Sequence, residues 1–185
     1  TGISNSAALA FGGTTGSMSA LNESYNGTSW SEVADITARK LAGTAGTQTA
    51  ALAFGGDNGS AQVSINELYN GTAWSEEGDL ASARSNNAGF GTSTAAISAG
   101  GRNGDTALNL VESWNGSSWS EIAEINTGRY GASGVGTTTS GLIFGGQPDS
   151  GGGQNLTESW NGASWTEVND LNENKSNRIR RTTLR

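Results

Sequence analysis

Two residue types that carry much of protein chemistry are missing from this chain of 185 residues: it has no histidine and no cysteine. Ser-His-Asp and Cys-His nucleophiles are therefore unavailable, as are the usual zinc ligand sets and any disulfide. What remains is a set of 17 carboxylates. A pair of them suffices to hydrolyse a glycoside, and the aspartates of the variable loops (Asp57, Asp105 and Asp149) are those a hydrolase would use. Glu23, Glu67, Glu112 and Glu158 recur at one place in every repeat, which suits a structural role better than a catalytic pair. The stretches Asp57-Asn58-Gly59 and Arg102-Asn103-Gly104-Asp105 lack the ligand count and closing glutamate of a calcium loop. The reading is a chain with no catalytic site, metal or cofactor.

These residues are set by a repeat. Tyr25-Asn26-Gly27-Thr28-Ser29-Trp30 returns as Tyr69-Asn70-Gly71-Thr72-Ala73-Trp74, Trp114-Asn115-Gly116-Ser117-Ser118-Trp119 and Trp160-Asn161-Gly162-Ala163-Ser164-Trp165. The closing tryptophans Trp30, Trp74, Trp119 and Trp165 are spaced 44, 45 and 46 residues apart. Asn-Gly between two short β-type runs predicts a two-residue hairpin with positive φ at both turn positions. Self-similarity at this period predicts repeated small units.

In the second unit, Leu41 to Gly46 reads as a first strand of small residues and Ala50 to Phe54 as a second, closed by Gly55-Gly56. Val63 to Tyr69 reads as a third strand and Thr72 to about Glu77 as a fourth. Leu9, Leu52, Ile97 and Leu142 form one column, and Phe11, Phe54, Ala99 and Phe144 another two residues on, so both lie on one face. The glutamates are expected on the face of the hairpin aromatic and the Leu column, paired with backbone N–H groups or with Arg39, Arg84 and Arg129. The tryptophans and tyrosines beside the turn are expected to pack between units. Four short strands per unit of about 45 residues is the pattern of a β-propeller blade. The units run at about 1–36, 37–80, 81–125 and 126–171, with a basic segment at 175–185.

The residues also resemble a family. A double glycine, an aromatic 12 to 14 residues later and a tryptophan five further on are similar to the kelch repeat, as are the Glu-x-aromatic step and the arginine after the fourth strand. The chain departs from the pattern at Ala99, where phenylalanine is expected, and at Lys175, where arginine is expected. The resemblance implies an all-β, kelch-type propeller of about four blades. The copper-radical oxidases of that family need histidines and a cysteine, which this chain lacks. The near-identity of the units also resembles the kelch-like repeats of bacteriophage tail and fibre proteins and of bacterial surface proteins.

What varies between units is expected to serve a ligand. One variable set follows the double glycines: Asp57, Asn58, Arg102, Asn103, Asp105, Gln147 and Asp149. The other joins fourth to first strands: Arg39, Lys40, Arg84, Asn86, Arg129 and Tyr130. In kelch propellers both sets open on one face, so the resemblance implies that these residues share a ligand-binding rim. Their mixed polarity suits a glycan or a protein.

Charge narrows the partners. Before Lys175 there are five basic residues against 17 acidic ones, a net of −12, while 175–185 carries +5. An acidic body disfavours nucleic acid and anionic membranes, and no apolar run approaches the roughly 18 residues of a membrane helix. The expected setting is extracellular or on a virion surface, with adhesive and structural roles beside other subunits of an assembly. An intracellular kelch scaffold is the alternative. Aligned on the second unit, Thr1 falls inside a first strand, so the ring is expected to be completed by 175–185, by residues outside this sequence, or by another chain in a homo-oligomer.

Overall fold

A computed structural model describes residues 2–4 and 6–174. The chain is all-β: among the described residues there is no helix. The first sheet holds β1 (Gly2–Ser4), β2 (Ala7–Phe11), β3 (Asn22–Tyr25) and β4 (Trp30–Val33). The second holds β5 (Gly43–Gly46), β6 (Ala51–Phe54), β7 (Asn66–Tyr69) and β8 (Trp74–Glu76). The third holds β9 (Ala88–Gly91) and β10 (Ala96–Ala99), then, past a small hairpin of β11 (Arg102–Asn103) and β12 (Thr106–Ala107), β13 (Val111–Trp114) and β14 (Trp119–Glu121). The fourth holds β15 (Ser133–Thr137), β16 (Ser140–Phe144), β17 (Thr157–Trp160) and β18 (Trp165–Glu167). Each sheet is an antiparallel meander in sequence order. The role foreseen for 175–185 in closing a ring lies outside the described residues.

The hairpin turn differs from the expected one. Tyr69 pairs with Trp74, so the turn spans four residues, Asn70 to Ala73. Asn70 N–H donates to the Ala73 carbonyl at 3.2 Å. The Asn70 side-chain oxygen accepts from Thr72 N and Ala73 N, both at 2.9 Å. That side chain does what a further left-handed residue would do in a two-residue turn, so Gly71 alone takes positive φ, at 92°. Asn26, Asn115 and Asn161 repeat the arrangement.

Register sorts each sheet into two faces. Leu52 pairs with Leu68 and Phe54 with Asn66 on one; Ala51 pairs with Tyr69 and Ala53 with Glu67 on the other. The face of Leu52 and Phe54 is directed forward, onto the next sheet; the face of Tyr69 and Glu67 is directed backward, onto the preceding one. The forward Leu-Phe column and the backward Glu-aromatic column therefore lie on opposite faces, which corrects the expectation that the glutamates share a face with the second-strand leucines. Forward residues Leu52 and Phe54 pack with Trp114 and Trp119 of the third sheet, and Phe90 and Ile97 with Ile143, Trp160 and Trp165 of the fourth. Leu9 and Phe11 pack likewise with Tyr69 and Trp74. The Phe54 and Trp119 rings lie 4.8 Å apart, and those of Phe11 and Trp74 4.9 Å. The small first strands permit this: a side-chain carbon added at Gly89 would meet the Thr44 carbonyl oxygen of the neighbouring first strand at 2.5 Å. The second, third and fourth sheets approach one another most closely along their first strands, β5, β9 and β15.

A column not singled out from the sequence, Ile36, Leu80 and Ile125, is buried where the fourth strand turns toward the next unit. Their N–H groups donate to Ala20, Ser64 and Asn109 carbonyls, tying each connection to its own sheet.

Candidate functional site

The connection after each fourth strand carries an arginine whose backbone and side chain work in different sheets. The Arg84 carbonyl accepts from Gly56 N of the second sheet at 2.8 Å, and it lies so close to Gly55 that a side-chain carbon there would sit 2.4 Å away. Gly55 has φ of 66°, so shape and backbone both require glycine. The Arg84 side chain instead reaches the third sheet: Nη1 lies 2.6 Å from Glu112 Oε1, and Nη2 donates to Ser98 Oγ at 3.0 Å. Glu112 Oε2 accepts from Ala81 N at 2.8 Å.

The other junctions repeat this. Arg39 Nη1 pairs with Glu67 Oε2 and Nη2 donates to the Ala53 carbonyl at 2.9 Å, while Glu67 Oε1 accepts from Thr37 N and Oγ1. Arg129 Nη2 lies 3.0 Å from Glu158 Oε1, and Glu158 Oε2 accepts from Asn126 N and Nδ2. Burial pushes the Arg84 and Arg129 guanidinium groups below the ordinary arginine value, and Glu112 and Glu158 oppose the shift. Arg39, Arg84 and Arg129 are thus buried pillars between sheets and offer nothing to a ligand at the rim, because their side chains run inward to satisfy buried carboxylates. Two of the positions expected to be structural differ from their counterparts: Glu23 and Trp30, in the first sheet, are exposed, since among the described residues no preceding sheet covers them.

The remaining rim residues are brought together. Backbone bridges join Lys40 to Asp57, Ser85 to Arg102, and Tyr130 to Gln147, so each connection runs beside the loop that follows the double glycine of the next unit. The two variable sets therefore form one edge. Neighbouring loops also touch: Gly104 N donates to Gln62 Oε1 at 3.0 Å, and Ala107 N donates to Asp149 Oδ1. Lys40, Asp57, Asn86, Arg102 and Tyr130 are partly exposed, and Asn58, Asn103, Asp105 and Asp149 are exposed. Gln147 is buried and holds the edge together through its backbone. Asn86 takes φ of 56°, donates to the Leu41 carbonyl and accepts from Gly131 N, linking three successive connections. The Arg102 guanidinium stands over the Tyr130 ring, 5.4 Å from its centre.

Gln62 belongs to this edge and was not singled out from the sequence; its polar side chain after the Asp57 loop was the available signal. Asp57 and Asp149 are partly engaged, since Asp57 Oδ1 accepts from Gly59 N at 2.7 Å and Asp149 from Ala107 N. Among the described residues no group of three metal-ligating side chains forms. No helix among them is long and apolar enough to cross a membrane. No protein-family model matches the chain, and no curated protein sequence matches it.

Proposed function

We propose that the chain is a kelch-type β-propeller or a segment of one, and that it acts as a non-enzymatic binding module on a virion or cell surface, recognising a glycan or a protein surface through its rim. The carrying observation is the joined edge of variable loops, where Lys40, Asp57, Arg102, Asn103, Asp105, Tyr130 and Asp149 meet above a scaffold whose repeated residues are spent on packing. Tyr130 beneath Arg102 supplies an apolar ring face flanked by charge, and the aspartates and asparagines supply hydrogen-bond partners. A few placed polar groups around an aromatic surface suit a hydroxyl-rich or peptide ligand. Rigid sheets hold the loops in place before binding, which lowers the ordering cost.

The test is a glycan array and a pull-down from host surface proteins, each run with the parent chain and with Arg102→Ala and Tyr130→Ala. Binding that weakens about tenfold or more in either variant, the size of one lost charge-assisted contact, supports the reading. A folded chain that captures neither class, or binds both variants as tightly as the parent, overturns it. Turnover of a captured glycan that disappears with Asp57→Asn, Asp105→Asn or Asp149→Asn would move the function to the hydrolase class.

A further inference from the structure

The three internal junctions share one composition, a forward face of Leu or Ile and Phe pressed on a backward face of paired aromatics and a glutamate. Among the described residues, each half of that junction occurs once more, without its counterpart. On the fourth sheet, Leu142 is 37% exposed and Val135 51%, whereas their equivalents Leu52, Ile97, Ala45 and Phe90 are exposed by 5% or less. These two residues, with Ser159, Gly136 and Gly141, line a depression of about 380 Å³. On the first sheet, Trp30 is 49% exposed, whereas Trp119 and Trp165 are at 8% and 7%. Trp30 keeps its tilted contact with Tyr25, at 5.1 Å between ring centres, against 5.2 to 5.5 Å for the three equivalent pairs. The backward face is thus prearranged in the geometry that the covered copies use. Glu23 stands exposed beside it, in the place where Glu67, Glu112 and Glu158 each take an arginine from the preceding connection.

We propose that these two end faces are the halves of an intermolecular junction, and that the partner is a second copy of this chain, docked head to tail with the backward face of its first sheet on the forward face of the fourth. The internal junctions say what the occupant must carry: an aromatic pair to fill the depression and a glutamate to receive a cation. Among the described residues the first sheet is the one surface with that set uncovered. Such a contact joins two different surfaces, so it is heterologous and propagates until it closes. Two copies bring eight sheets together, within the range of closed rings built from radial sheets. The inference rests on the succession of sheets and not on the rim reading, so a blank glycan array leaves it standing.

The experiment uses the full chain in light scattering or sedimentation over a concentration series. The expected mass is twice the 18.8 kDa of one chain, or a higher multiple if the contact does not close. Leu142→Glu damages only the forward half and Trp30→Glu only the backward half; each alone is expected to be monomeric. Mixed in equal amounts they should give a dimer, because one intact face of each kind remains. Circular dichroism and thermal melting check that both variants stay folded, and Val135→Glu replaces Leu142→Glu if that variant does not. A monomeric parent chain overturns the proposal, including one whose own first and fourth sheets meet. So does a mixture that stays monomeric, or a pair of variants that each still dimerise.

Discussion

The arginines of the junctions and the arginine of the rim make an instructive pair. Arg84 and Arg102 are 18 residues apart by their numbers, and Ser85, next to Arg84, bridges to Arg102 in the backbone. Arg84 is fully buried, bonded to Glu112 and Ser98, and has equivalents at Arg39 and Arg129. Arg102 is partly exposed, lies over Tyr130, and has no equivalent in the other units. The same side chain is a buried structural strut in one place and a partly exposed edge residue, the one we propose contacts a ligand, in the other. The difference teaches that recurrence in this chain marks packing, since a residue needed at every junction must recur at every junction.

The comparison breaks first at the junction. Arg84→Ala leaves Glu112 buried with an unmatched charge and is expected to cost about 3–5 kcal/mol, lowering the melting temperature by about 6–20 °C for a chain of this size. The double replacement Arg84→Met with Glu112→Leu sharpens the point. Removing both charges should recover most of the loss, and the remainder reports the Ala81 N–H left without its acceptor. A double variant as unstable as the single one would mean that the pair does more than neutralise itself. Next in size is Ile97→Ala, which empties a fully covered position between the third and fourth sheets and should cost about 2–5 kcal/mol, read by urea denaturation.

Smaller effects belong to the turn and the rim. Asn115→Ala removes the acceptor for Ser117 N and Ser118 N in an exposed turn, for an expected loss of about 1 kcal/mol. At the rim, Arg102→Ala should change stability by no more than about 0.5 kcal/mol while carrying the binding loss expected of a contact residue. A large drop in melting temperature for Arg102→Ala, or none for Arg84→Ala, would reverse the division between buried strut and proposed contact residue.

The antiparallel strands were legible in the sequence because alternation and the Asn-Gly and Gly-Gly marks are local, and local sterics decide them. The pairing of the repeated glutamates with the repeated arginines was also legible as one of two options, and both turned out to operate at Glu67, Glu112 and Glu158, each of which takes a backbone N–H group as well as a guanidinium, while Glu23 stands exposed. The two-residue turn was misread because Asn and Gly in sequence do not reveal that the asparagine side chain accepts two bonds and lengthens the turn to four residues. The arginines were placed on the rim as well as in the junction, since their neighbours Lys40, Ser85 and Tyr130 do lie there and a strand-like segment turns successive side chains opposite ways.

Sequence alone determined the period, the strands and the residues that every junction would need, because these follow from local backbone preferences and from copying. Only the tertiary structure decided which face of each sheet is directed forward, that the arginine spans two sheets, and that the loop sets join into one edge, because those relations depend on register and on how one sheet leans on the next. The same physics separates the covered copies from the end ones: Leu52 and Leu142 are one residue type in one repeat position, and only the presence of a following sheet makes the first core and leaves the other surface.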